Sequence, residues 1–112
     1  MSAENLSGYL VNIFPISGRD VCNFLKEVLG ESELCVIKYF EALGHDEGLG
    51  DLWHRVCKSH NEVLTREDLL EVLLNADQII TLDMYVKNDS HRALYIEDGE
   101  LFEETMSRIA DE

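Results

Sequence analysis

Ile80-Thr81-Leu82-Asp83-Met84-Tyr85-Val86-Lys87-Asn88-Asp89-Ser90-His91-Arg92-Ala93-Leu94-Tyr95-Ile96-Glu97 is the stretch that decides the fold class. Ile80, Leu82, Met84 and Val86 alternate with Thr81, Asp83, Tyr85 and Lys87, the two-residue period of a strand with one buried face. Lys87-Asn88-Asp89-Ser90 carries turn chemistry, and Leu94 with Ile96 continues an apolar face on the way back. A β-hairpin over about 78–97 is therefore predicted. Its alternation sends Tyr85 and Tyr95 to the polar face, beside Asp83, Arg92 and Glu97.

Upstream the period is helical. Ser17-Gly18-Arg19-Asp20 reads as a capping-box variant ahead of Val21, Phe24, Leu25, Val28 and Leu29, with Gly30 expected to supply a left-handed ending. Between Glu31 and Leu43, the residues Leu34 to Ile37, Tyr39, Phe40, Ala42 and Leu43 go most of the way round a helix, so a helix in the middle of the domain is expected. Gly44, Gly48 and Gly50, mixed with His45, Asp46 and Glu47, mark an acidic loop. Leu49, Leu52, Trp53, Val56 and Cys57 restart a helical stripe that fades by His60-Asn61. Thr65-Arg66-Glu67-Asp68 caps a further helix running to about Asn75. Residues 2–14 fit a helical face (Leu6, Tyr9, Leu10, Ile13, Phe14) and also alternate at Tyr9, Val11 and Ile13; helix is preferred, stopped by Pro15. Beyond Glu97, Asp98-Gly99 offers a second tight turn into a third short strand, but Leu101, Phe102, Thr105, Met106 and Ile109 favour a terminal helix over about 99–110.

The expected architecture is α+β: four or five helices packed against a small antiparallel hairpin near the C-terminus, with a terminal helix, in a single domain 1–112 whose helical part spans about 2–76. An apolar content of 46%, including Trp53 and four each of Tyr and Phe, is enough to fill one core and argues against disorder. Met1 to Glu4 carries no basic leader and no apolar run approaches a bilayer span, so a cytoplasmic protein without membrane contact is expected. Cys22, Cys35 and Cys57 lack Cys-x-x-Cys spacing and lie among apolar neighbours, which predicts buried reduced thiols.

Charge is the strongest functional clue. Twenty-three acidic against nine basic residues leave a formal charge of −14, beyond the magnitude of roughly 2 to 8 that keeps a small domain soluble. Such an excess repels itself and speeds encounter with a cationic partner. The densest field follows the hairpin, where Glu97, Asp98, Glu100, Glu103, Glu104, Asp111 and Glu112 are opposed only by Arg108. A second, looser concentration lies between Glu27 and Asp51. Tyrosine among carboxylates on an exposed sheet face is an interface composition, since the ring supplies contact area while the acids pair with Arg or Lys. The candidate partner-binding set is accordingly Asp83, Tyr85, Tyr95, Glu97, Asp98, Glu100, Glu103 and Glu104.

Other chemistries find little support. His54 and Cys57 fall on one side of a helix, but His60 is turned away from both, so neither a zinc site nor a Cys-His pair is completed locally. There is no EF-hand loop, no phosphate-cradling glycine loop and no Gly-x-Ser-x-Gly elbow, so no cofactor or metal is expected and catalysis is disfavoured. Scattered basic residues disfavour direct nucleic-acid binding. In size, acidity and lack of catalytic equipment the chain resembles bacterial immunity proteins and the DNA-mimic inhibitors of phages and plasmids, a likeness of character and not of aligned residues. It implies a monomer or simple dimer that occludes a basic protein: a toxin, a nuclease or a nucleic-acid-binding factor. The alternatives are a secretion-type chaperone or adaptor, and a small enzyme or ligand-binding domain using His54 and Cys57.

Overall fold

The computed structural model of the chain describes Leu10 and residues 13–106. Among them are three helices, α1 (Gly18–Val28), α2 (Glu47–Ser59) and α3 (Arg66–Leu73), and five strands, β1 (Leu34–Leu43), β2 (Glu62–Thr65), β3 (Gln78–Val86), β4 (Asp89–Glu97) and β5 (Glu100–Glu104). The strands form one antiparallel sheet in the order β2-β1-β3-β4-β5. Four or five helices on a small C-terminal hairpin is thus corrected to three helices on a five-stranded sheet.

Two readings changed the count. The run expected as a central helix is β1, which lies between β2 and β3. A helix apolar on nearly every side, with only a narrow polar strip near Lys38 and Glu41, and a strand with apolar residues on both faces share a composition, and periodicity cannot separate them. Here Cys35 and Ile37 face the core while Val36, between them, is also 5% exposed on the opposite side. The terminal helix is replaced, over the described residues, by β5. Asp98 (φ 56°) and Gly99 (φ 82°) both adopt the left-handed region, the two-residue hairpin turn whose twist suits the flanking strands. The part of that expected helix beyond Met106, and the helix expected at 2–14 apart from Leu10, Ile13 and Phe14, lie outside the described residues.

Local signals at the helix starts are realised. Ser17 Oγ accepts the Asp20 N–H at 3.1 Å and the Asp20 carboxylate accepts the Ser17 N–H at 3.0 Å, a full capping box. Thr65 Oγ1 accepts the Asp68 N–H at 3.1 Å, and Asp46 Oδ1 takes the Gly48 N–H at 2.7 Å. Because Asp46 caps there, Glu47, Gly48 and Gly50, expected as loop, join Leu49 in the first turn of α2. Gly30 is not a left-handed cap; α1 ends on extended Leu29, and the Gly30 N–H goes to Glu33 Oε1 at 3.0 Å.

One core holds these pieces together. Val21, Phe24, Leu25 and Val28 of α1, Leu52 and Val56 of α2, and Leu69 and Leu73 of α3 meet Ile37, Ile79, Leu82, Met84, Leu94 and Ile96 on one face of the sheet. The bulge that sets Ala42 opposite Ile79 and Glu41 opposite Thr81 leaves Ile80 as the extra residue, so Ile79 and not Ile80 fills the inward position. Arg92 also points to this side. It was expected on the polar face, yet its guanidinium is buried and forks onto Glu33 at 2.6 and 3.1 Å. It also donates to the carbonyl of Val28, the last residue of α1, where a cation suits the helix dipole.

Candidate functional site

On the sheet face away from the core, Asp83, Tyr85, Ala93 and Tyr95 are half-buried and Tyr39 is 51% exposed. Register lines up the side chains of this face in rows, because residues paired across antiparallel strands point the same way. Val63, Val36, Tyr85 and Ala93 form one row across β2, β1, β3 and β4. The next row is Tyr39, Asp83, Tyr95 and Glu103 across β1, β3, β4 and β5. With strands about 4.8 Å apart, this alternation of phenol and carboxylate spans about 14 Å. Bulges widen both ends of it: Lys38 is the extra residue beside Tyr39, and Phe102 the extra residue beside Glu103.

The ring of Phe102, 68% exposed, meets Tyr95 edge to face at 5.0 Å. The Tyr95 hydroxyl donates to Glu97 Oε1 at 2.6 Å. That hydrogen bond, helped by burial and by the charges of Glu97, Asp83 and Asp98, pushes the phenol up to about 12. Burial likewise raises the Asp83 carboxyl, with Lys38 opposing the shift and Glu103 adding to it. The charge of Glu103 thus bears on Asp83, and that of Asp83 on Tyr95, along the row. Glu97 and Glu100 are paired directly at the turn, like charges opposite each other. Beneath the row a shallow hollow of about 420 Å³ is bordered by Asp83, His91, Ala93, Tyr95, Glu103 and Thr105.

Of the candidate residues, Asp83, Tyr85, Tyr95, Glu97 and Glu103 share this face, while Asp98 and Glu100 border it at the turn. Glu104 stands apart. It pairs in register with Leu94 on the core side, where its carboxylate oxygens are shut from solvent without a well-formed hydrogen bond. Burial raises its pKa against the pull of the Met106 backbone N–H. Tyr39, Lys38 and Phe102 were not anticipated here, because the first two were assigned to a helix apolar all round and the third to a terminal helix. The signal for the first two was the run of β-branched and aromatic residues bounded by Gly30 and Gly44, and for Phe102 the Asp98-Gly99 turn.

α2 borders the same face along β1. His60, its left-handed C-cap, sets its ring 5.3 Å from Tyr39, and the rings of Trp53 and His54 are 6.5 Å apart. Cys57, expected in the core, is exposed; Cys22 and Cys35 are buried, and burial pushes the Cys35 thiol up to about 11. Among the described residues no cluster of His, Cys, Asp and Glu is arranged to hold a metal, and no helix is long and apolar enough to cross a membrane. Comparison with protein-family models, with curated proteins and with solved structures finds no match to this chain.

Proposed function

We propose that this chain is a small acidic binding protein that docks a basic protein on the open face of its sheet and thereby occludes that partner's functional surface. The observation that carries the reading is the row Tyr39, Asp83, Tyr95, Glu103, flanked by Glu97, Glu100 and Phe102. Nothing in the described core requires these side chains. The rings offer contact area at small entropic cost, and Asp83 is already partly desolvated while Glu97, Glu100 and Glu103 stand exposed, so arginine and lysine arriving opposite them relieve mutual repulsion. A broad face with a shallow hollow suits covering another surface more than enclosing a substrate. The partner class is a toxin, a nuclease or a nucleic-acid-binding protein, whose phosphate-binding groove presents the required cations. Three free cysteines suit a reducing compartment, and we place the complex in the cytoplasm.

The test uses the tagged chain and a Glu97→Lys/Glu103→Lys variant to retain proteins from its own source at ~50 and ~500 mM salt, where the Debye length shrinks from about 14 to 4 Å. The expected result is one basic protein, held by the wild type at low salt, lost at high salt and lost by the variant. Adding the wild-type chain should then suppress that protein's activity. A neutral or acidic partner, or retention unchanged in the folded variant, refutes the reading. Retention that resists salt but fails on removal of apolar contacts favours the chaperone or adaptor alternative.

A further inference from the structure

We infer that an arginine side chain of the basic partner is anchored in the crease between α2 and the open face, held by the rings of Tyr39 and Trp53 and the carboxylate of Glu41. The inference rests on the docking proposed above and names the contact that would anchor it. Two hollows, of about 200 and 410 Å³, lie along this crease and meet at Glu41 and Trp53. Tyr39 is 51% and Trp53 48% exposed, so neither ring is used up by the core. Tryptophan, tyrosine and arginine are the residue types enriched among interface hot spots.

Gly50 supplies a separate argument. It lies one turn before Trp53 in α2 and lines the larger hollow, and a Cβ placed on it would meet nothing within 4 Å. No close approach or backbone conformation demands glycine there. Glycine favours helix less than alanine does, so its one visible effect is to keep the floor beside Trp53 bare. The charge of the lining selects the occupant. Glu41, Asp46 and Glu47 line the larger hollow, neither hollow is lined by lysine or arginine, and the carboxylates of Glu41 and Glu47 take part in no ion pair or side-chain hydrogen bond among the described residues. A cation is therefore favoured, and a second copy of a −14 chain is not. Between the two cationic side chains, the planar guanidinium stacks on aromatic faces while offering N–H groups to a carboxylate; an ammonium does the first poorly.

Trp53 is the single tryptophan, so its emission reports on the crease alone. Hexa-arginine and hexa-lysine peptides are titrated into the full chain at low salt, with emission and calorimetry read in parallel and circular dichroism checking each variant's fold. Hexa-arginine should change Trp53 emission saturably and bind about three- to fivefold tighter than hexa-lysine, the size of one partly exposed cation–π contact. Glu41→Gln and Tyr39→Ala should each remove that preference; Glu41 is exposed, so its variant serves if the Tyr39 variant does not fold. Glu97→Lys/Glu103→Lys should lower the affinity for both peptides while keeping the preference. Calorimetric binding that leaves Trp53 emission unmoved overturns the crease as the anchor without touching the acidic face. Equal affinities for the two peptides, or a preference that survives Glu41→Gln, also overturns it.

Discussion

Replacing Glu100 by lysine should make the isolated protein more stable while weakening its docking. Glu97 and Glu100 are paired across the β4–β5 ladder at the Asp98-Gly99 turn, with Asp98 between them in the chain. Like charges directly opposite on a sheet cost, and opposite charges contribute, roughly 0.2–1 kcal/mol each, so exchanging one for the other yields about 1 kcal/mol once exposure is discounted. For a domain of this size that is a rise in Tm of about 4–8 °C. The assay is urea unfolding of wild type and Glu100→Lys at ~20 mM and ~1 M NaCl, over which the Debye length falls from about 20 to 3 Å. Salt should stabilise the wild type and narrow the gap to the variant, with the m-value unchanged. A variant no more stable than wild type, or a gap indifferent to salt, would refute the argument that these acids are held together against their own repulsion.

Four other predictions address the hydrogen bonds and packing of the fold. Glu33→Ala should cost about 2–4 kcal/mol and Arg92→Met less, because the first strands a guanidinium with 10% of its side chain exposed whereas the second leaves a carboxylate that water reaches; a urea series showing the reverse order would contradict the pairing. Burial alone would raise the Glu33 pKa, but the hydrogen bonds from Arg92 and the Gly30 N–H, with the Arg92 charge, outweigh it and hold the pKa below 4.5. Its stabilisation is therefore present above pH 4.5 and lost as the pH falls through the lowered value, and Glu33→Gln should flatten that acid limb. One tyrosine should ionise near 12 in an ultraviolet titration and move back toward 10 in Glu97→Gln. Since the fold favours the neutral phenol, this contribution is full below pH 10 and disappears as the pH rises toward 12; a titration with no component near 12 would count against the Tyr95 bond. Gly18→Ala should destabilise by about 1–3 kcal/mol, because a Cβ there overlaps the Leu73 carbonyl where α1 meets the end of α3; unchanged unfolding would show that this approach is looser than described.

The readings that succeeded rest on local physics. Ser17 with Asp20, and Thr65 with Asp68, satisfy free N–H groups within a few residues of chain, so their spacing announces the helix starts. The hairpin from Gln78 to Glu97 is legible because a strand with one wet face must alternate, and the same alternation placed Tyr85 and Tyr95 together with Asp83. Arg92 breaks the rule that charge points outward, since its burial depends on Glu33 and the Val28 carbonyl, far away in the chain.

What the chain determined unaided is therefore its excess of anions, its helix starts and the two-faced hairpin. Tertiary structure alone decided that residues 34–43 are a strand, because pairing with Glu62–Thr65 on one side and Gln78–Val86 on the other satisfies their backbone groups while Cys35, Ile37 and Phe40 enter the core. It also decided that Tyr39 and Phe102 join Tyr95 on one surface. Register between strands sets which distant side chains become neighbours, and that register follows from the closing of one core, to which every element contributes at once.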